Sequence, residues 1–266
     1  MIFFFTAFDL RFVPSPHFSS AGLDRFLLKY ARPLFRLSER YNLRGARTHP
    51  LKRERQSING FRRDRRASFG LAPSDLRTLR ALRTPAQIQK FVDALQYQYA
   101  DTAWSPQRVL RERKGHCLEG ALIAAAALRV NGYPPLLMDL EAVHDDDHVV
   151  AVYREGALWG SIAKSNFAGL RFRAPIYRTL RELALSYFEH YYNLRGERTL
   201  RSYSVPVNLA RLDKLHWMTS EEDVWCVPDL LIAARHYPLF PHKVARALPR
   251  LDRRSFEAGM HGWTKH

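Results

Sequence analysis

The stretch "RKGHCLEGALIAAAALRVNG", residues 113–132, decides how the chain is read. From Cys117 to Val130 it is apolar nearly all round, whereas a surface helix keeps one wet face. It therefore predicts a helix buried at the centre of a domain, opened by Gly115-His116-Cys117 and ended by Asn131-Gly132. A cysteine at the head of such a helix meets unpaired backbone N–H groups and the positive end of the helix dipole, both of which favour a thiolate. Cysteine is also among the most often buried residue types, so position alone leaves a structural and a catalytic thiol open.

Upstream, "RTPAQIQKFVDALQYQY" (83–99) has Thr84 as N-cap, Pro85 at the first helical position and apolar residues at 88, 91, 92, 95 and 99. That is an amphipathic helix. "WSPQRVLRERKG" (104–115) offers a second, short one starting at Ser105-Pro106. Downstream the character changes: "LLMDLEAV" (136–143), "HVVAVY" (148–153) and "ALWGSIA" (157–163) are short, apolar and β-rich. "REG" (154–156) turns the last two into a hairpin. "RTLRELALSYFEHYYNL" (178–194) returns to helical spacing, with Gly196 as its C-cap. "TSEEDVWCVPDLLIAARH" (219–236) reads as a helix with acidic first-turn residues, interrupted near Pro228. Helices, a buried central helix, antiparallel strands and more helix make an α+β fold.

The formal charge of +16 suggests a nucleic-acid binder until it is located. Residues 1–83 carry 18 Lys+Arg against 6 Asp+Glu, residues 84–204 carry 15 against 13, and residues 205–266 carry 9 against 7. The basicity belongs to the N-terminal region, where "KRERQSINGFRRDRRASFG" (52–70) reads as solvated and disordered. The division is thus a basic arm at 1–81, a core at 82–205 and a helical C-terminal extension at 206–266. The arm could meet an anionic partner, nucleic acid or lipid, without specificity. Only two cysteines, Cys117 and Cys226, occur far apart, which fits a reducing cytoplasm rather than a disulfide framework. Cys226 is read as a buried bystander.

Asp9 and Arg11 break the apolar start before it resembles a secretory leader, and no stretch reaches the roughly 18 apolar residues of a membrane span. "YNLRGART" (41–48) and "YNLRGERT" (192–199) differ at one position, but their flanks do not align, so no domain repeat is inferred.

"RVLRERKGHCLEGALIAAAALRVNGYPPLLMDL" followed by "DHVVAVYREGALWGSIA" resembles the transglutaminase-like superfamily of papain-type folds. There a Gly-x-Cys opens the central helix, a histidine opens a following strand, and a hairpin leads to an aromatic-rich strand carrying Asp. The resemblance covers about residues 84–205. It implies a papain-type Cys-His-Asp thiol site with Cys117 as nucleophile and His148 as base, acting on a peptide or protein substrate without cofactor or metal. The implied chemistry is acyl transfer, with hydrolysis of an amide or peptide bond expected over cross-linking.

One departure stands out: "WGSIAKSN" (159–166) lacks the acidic residue. With a turn centred on 154–157, His148 lies opposite 162–164, and Ser161, Ser165 and Asn166 become candidates to orient it. An amide does so in papain-type enzymes, which favours Asn166. Asp147 adjoins His148, but adjacent strand residues point to opposite faces. Trp104 and Gln107 lie upstream, where an oxyanion-hole side chain often sits, though packing and surface roles suit them as well. His116 is read as a packing or loop residue. "HDDDH" (144–148) invites a metal reading, but without paired cysteines or a helical H-E-x-x-H it reads as a solvated loop. The missing carboxylate motivates a second expectation, a catalytically degenerate module that binds a partner without turnover.

Overall fold

A computed structural model describes residues 68–263. Helix begins earlier than expected. Pro73–Ala81 is a helix, α1, whose Leu76 and Leu79 are buried, so this part of the segment read as a disordered arm belongs to the folded body. The remainder of that arm and the first "YNLRG" copy, residues 1–67, lie outside the described residues. Pro85–Asp93 (α2) starts as the capping box dictates, with Thr84 Oγ1 accepting from the Gln87 N–H and Gln87 Oε1 from the Thr84 N–H. The chain then turns extended. Gln96–Tyr97 (β1) pairs in parallel with Lys114–Gly115 (β2) across the short helix α3, Pro106–Glu112.

The central helix α4, Cys117–Val130, forms where expected. Every residue from Leu118 to Leu128 is buried, and Ala124 to Ala127 are shut off from solvent completely, because small side chains let the helix lie close on the sheet. At its end Asn131 Nδ2 donates to the carbonyls of Leu79, Leu82 and Ala127, which ties α1 to the close of α4. Gly120 sits where the helix crosses the chain at Lys164, and a Cβ there would stand 2.2 Å from Lys164 Cβ. Neither backbone yields cheaply at such a crossing. Gly120→Ala is expected to lower unfolding stability by about 3 kcal/mol in urea titrations. A loss under about 1 kcal/mol would show that helix and strand can slide apart.

The sheet is antiparallel. Leu136–Ala142 (β3), His148–Glu155 (β4) and Leu158–Ile162 (β5) form its middle, with Arg173–Tyr177 (β6) on one edge. Leu200–Ser204 (β7) and Val207–Asn208 (β8) share the far edge of β3, and His236–Pro238 (β9) extends β7. The β4–β5 hairpin turns at Gly156-Ala157, with φ +58° at Gly156. Its pairing Ala151↔Ile162 sets the register two residues from the one expected. Residues 148–153 of β4 are buried without alternation, because both faces of the sheet are covered. On one face lie α4 and the helices around it; on the other, a second core gathers Leu183, Ala184, Tyr187, Tyr191 and Leu239.

Three expectations need correction. The helix read over 178–194 is only Leu180–Leu185 (α5) followed by a 3-10 turn at Phe188–His190. Arg173 takes the Ser186 carbonyl and hydroxyl, and Tyr187 and Tyr191 are drawn into the second core, so the apolar spacing is served without a continuous helix. Gly196 has the positive φ expected of it, +71°, but in a turn beside the Tyr192↔Arg198 bridge rather than at a helix end. Pro228 does not interrupt its helix: α6 starts at Cys226 and runs to Ile232, so the proline lies in the first turn, where no N–H is needed. The tail beyond 205 contributes β8 and β9 to the sheet besides helices α6, α7 (His242–Arg246) and α8 (Arg253–Gly259). Among the described residues no helix is long and apolar enough to cross a membrane.

Candidate active site

The head of α4 is built by a short run of sequence acting on itself. His116 is the N-cap, and its Nδ1 lies 3.2 Å from the Leu118 N–H. Three residues on, Glu119 sits at 0% exposure and reaches back to the His116 N–H with Oε2 at 3.0 Å. Its Oε1 accepts from the Thr102 hydroxyl at 2.7 Å and from the Trp104 N–H at 3.2 Å. One buried carboxylate therefore caps the helix and pins the loop 98–104 to it. His116 Nε2 donates to the Thr102 carbonyl at 3.1 Å and completes the clasp. His116 Nδ1 also lies 3.1 Å from Glu119 Oε2.

Cys117 stands at the first position of α4, as the sequence requires. As a residue it is partly buried. Sγ lies 3.9 Å from the Asp147 carbonyl, at the head of β4. Burial pushes the Cys117 thiol up to about 12; the Val149 N–H pulls it down, and the negative charges of Glu119, Asp146 and Asp139 push it up again.

The nearest imidazole is His116, with Nδ1 3.9 Å from Sγ. His148 is elsewhere. Along β4, Val149, Ala151 and Tyr153 pack with α4, while Val150 and Val152 belong to the second core. His148 falls in the even set and so faces away from α4. Its ring meets Tyr187 and Tyr191 edge-on at 6.3 and 6.4 Å, and Nε2 donates to the Leu170 carbonyl at 2.8 Å. Burial pulls the His148 imidazole down to about 4, countered by the Leu170 hydrogen bond and reinforced by Arg173. The expected Cys117–His148 pair is not formed.

The candidate orienting groups do not reach His148 either. Asn166 Nδ2 donates to the Tyr99 hydroxyl at 2.9 Å, and Ser165 Oγ accepts from the Phe167 N–H. Ser161 shares the second core, but its hydroxyl is spent on Tyr187, 2.7 Å away, which in turn donates to the Arg171 carbonyl. Asp147 Oδ1 accepts from the Ala142 N–H, and Asp145 Oδ2 from the Thr199 hydroxyl, so two carboxylates of "HDDDH" shape their own loop. Trp104 is buried by packing, with Arg108 over its ring, and its Nε1 is a buried donor without a partner.

Several members of the cluster were not legible in the sequence. Tyr97, from β1, has its phenol held well above the usual range by burial and by the nearby Cys117 and Asp146 charges. Asp139 on β3 pairs with His236 from β9, whose Nε2 stands 3.1 Å from Oδ2 while Nδ1 donates to the Ala234 carbonyl. Both His236 nitrogens face acceptors, which favours the imidazolium; the Asp139 hydrogen bond accordingly raises its pKa. Glu119 alone carried a signal, the spacing of a capping box in "HCLE". The cluster offers a thiol, two imidazoles and carboxylates, and burial raises the pKa of that thiol. No protein-family model matches the chain, and no curated protein sequence matches it.

Proposed function

We propose that this chain is a transglutaminase-like module of papain type that binds a peptide or protein partner without turning it over. What supports the papain-type reading is a buried helix headed by Cys117 and packed on one face of an antiparallel sheet. What supports the absence of turnover is one observation: the His148 imidazole lies on the opposite face of that sheet, donating to the Leu170 carbonyl. A thiol whose pKa is raised by burial and nearby carboxylates, and whose expected base lies on the other face of the sheet, is a poor nucleophile at neutral pH.

The test is the rate of Cys117 alkylation against pH, with Cys226→Ala removing the other thiol. In the folded protein the rate is expected to stay at least about tenfold below that of the same chain in denaturant up to pH 9, since a thiol near 12 is almost wholly protonated there. Alkylation that titrates near neutrality would overturn the reading. A second reading, acyl transfer through Cys117, is favoured by the 3.9 Å separation of Sγ from His116 Nδ1. A neutral-pH thiolate abolished by His116→Ala would establish that reading with His116 as base; one abolished by His148→Ala would establish it with His148.

A further inference from the structure

A groove of about 280 Å³ runs between the β7 end of the sheet and the C-terminal segment, bordered by His144, Glu197, Arg198, Thr199, Arg201 and Arg250. Its three arginines are not equivalent. Arg198 pairs with Glu189 at 3.1 Å and donates to the Pro249 carbonyl. Arg250, with a side chain 71% exposed, stands 3.7 Å from Glu197, a carboxylate already held by Arg195 and Asn193. Arg201 has no carboxylate partner among the described residues. Its Nη1 donates to the Arg198 and Leu200 carbonyls, both at 2.9 Å.

That leaves Nε and Nη2 of Arg201 without an acceptor among the described residues, and neither is a buried orphan. These two nitrogens form one edge of the guanidinium, the edge whose parallel N–H groups match two oxygens of a single carboxylate or phosphate. Burial also pulls the Arg201 pKa below its ordinary value, as expected for a cation that has lost water and gained no counter-charge. A guanidinium that has lost part of its water and has an unused donor edge is ready to gain from an anion placed there. Thr199 borders the same groove, with its hydroxyl donating to Asp145.

We propose that this groove binds an oxyanion, a phosphate or carboxylate group, held side-on by Arg201 and closed over by Arg250. The exposed Arg250 side chain, whose ion-pair partner among the described residues is Glu197 at 3.7 Å, completes the coordination from the outer wall. The groove has room for a single phosphorylated or acidic side chain, or for a small organic acid. The β3–β4 loop borders it through Val143 and His144 and reaches Cys117 through Asp147. The site nevertheless does not depend on whether Cys117 reacts.

The experiment is thermal unfolding of the full-length protein in rising inorganic phosphate or acetate, with sodium chloride matching the ionic strength. A saturable rise in Tm is expected with one of the two, and which one identifies the group bound. The basic N-terminal region contributes a response common to all variants, so the comparison that counts is between them. Arg201→Gln is expected to abolish the saturable part. Arg201→Lys keeps the charge but not the two-pronged edge and should weaken binding by about tenfold or more, the loss of one charged hydrogen bond. Arg250→Gln, at an exposed side chain, should weaken it less without affecting folding. If Arg201→Gln does not fold, the wild-type Arg201 Nε–H resonance is to be followed instead; it should shift on saturation. No saturable response to either anion, an unmoved Arg201 resonance, or an unchanged response in Arg201→Gln would overturn the proposal.

Discussion

Glu119→Ala is expected to destabilise the fold by about 4 kcal/mol, read as the shift in urea unfolding at constant m-value. Glu119 is fully enclosed and accepts from the Thr102 hydroxyl, the Trp104 N–H and the His116 N–H. Truncation leaves three donors facing an empty space at the head of the most buried helix. Each buried donor without an acceptor costs roughly 1–3 kcal/mol, and water entering the space recovers part of it. Glu119→Gln separates charge from connectivity. Its amide keeps one accepting oxygen but must aim its NH₂ at a former donor, so about half the loss is expected. If Glu119→Ala lost under about 1 kcal/mol, the clasp between the loop 98–104 and α4 would be ornamental rather than structural.

Acid is expected to weaken the protein through His148. Its imidazole is 5% exposed, and burial holds the folded-state value at about 4, against an ordinary value of 6.5 in the unfolded chain. Between those values the unfolded state binds a proton that the native state refuses, so stability falls as pH drops. The contribution is complete above about pH 6.5, and on the order of 3 kcal/mol of it is gone by pH 4. Urea unfolding from pH 7 to pH 4 measures it. His148→Phe fills the same aromatic pocket with Tyr187 and Tyr191 but cannot titrate, so it should lack this component while leaving the Leu170 carbonyl without its donor. Parallel pH profiles for the two proteins would show that His148 is solvated in solution and would undo its assignment to the second core. The opposite slope, stability lost as pH rises, is expected of His236, whose folded value is raised by Asp139.

Local rules carried much of the architecture. The Ala-rich run after Cys117 is the buried helix, Thr84-Pro85 starts α2, Ser105-Pro106 starts α3, and the hairpin around Gly156 joins β4 to β5. Each depends on residues a few positions apart, where capping, proline geometry and periodicity act directly. Failures came where the competitor was distant. The 178–194 pattern is apolar at helical spacing, but Tyr187 and Tyr191 are claimed by the second core. β9 lies over thirty residues from β7 in the chain, and only their pairing reveals it as a strand.

The candidate site divides along the same line. From the sequence alone came Cys117 at a helix head and a histidine opening a strand that packs beside that helix. The face on which His148 would emerge was not fixed, because a β-strand presents alternate residues to opposite sides and both sides here are buried. With apolar residues on both faces of β4, the pattern carries no mark of which parity meets α4. Only the packed structure decides it: Val149, Ala151 and Tyr153 go to the helix, and His148 goes with Val150 and Val152 to the other core. A one-residue difference in parity, invisible in the composition of "HVVAVY", separates a catalytic pair from a buried histidine and an enclosed thiol.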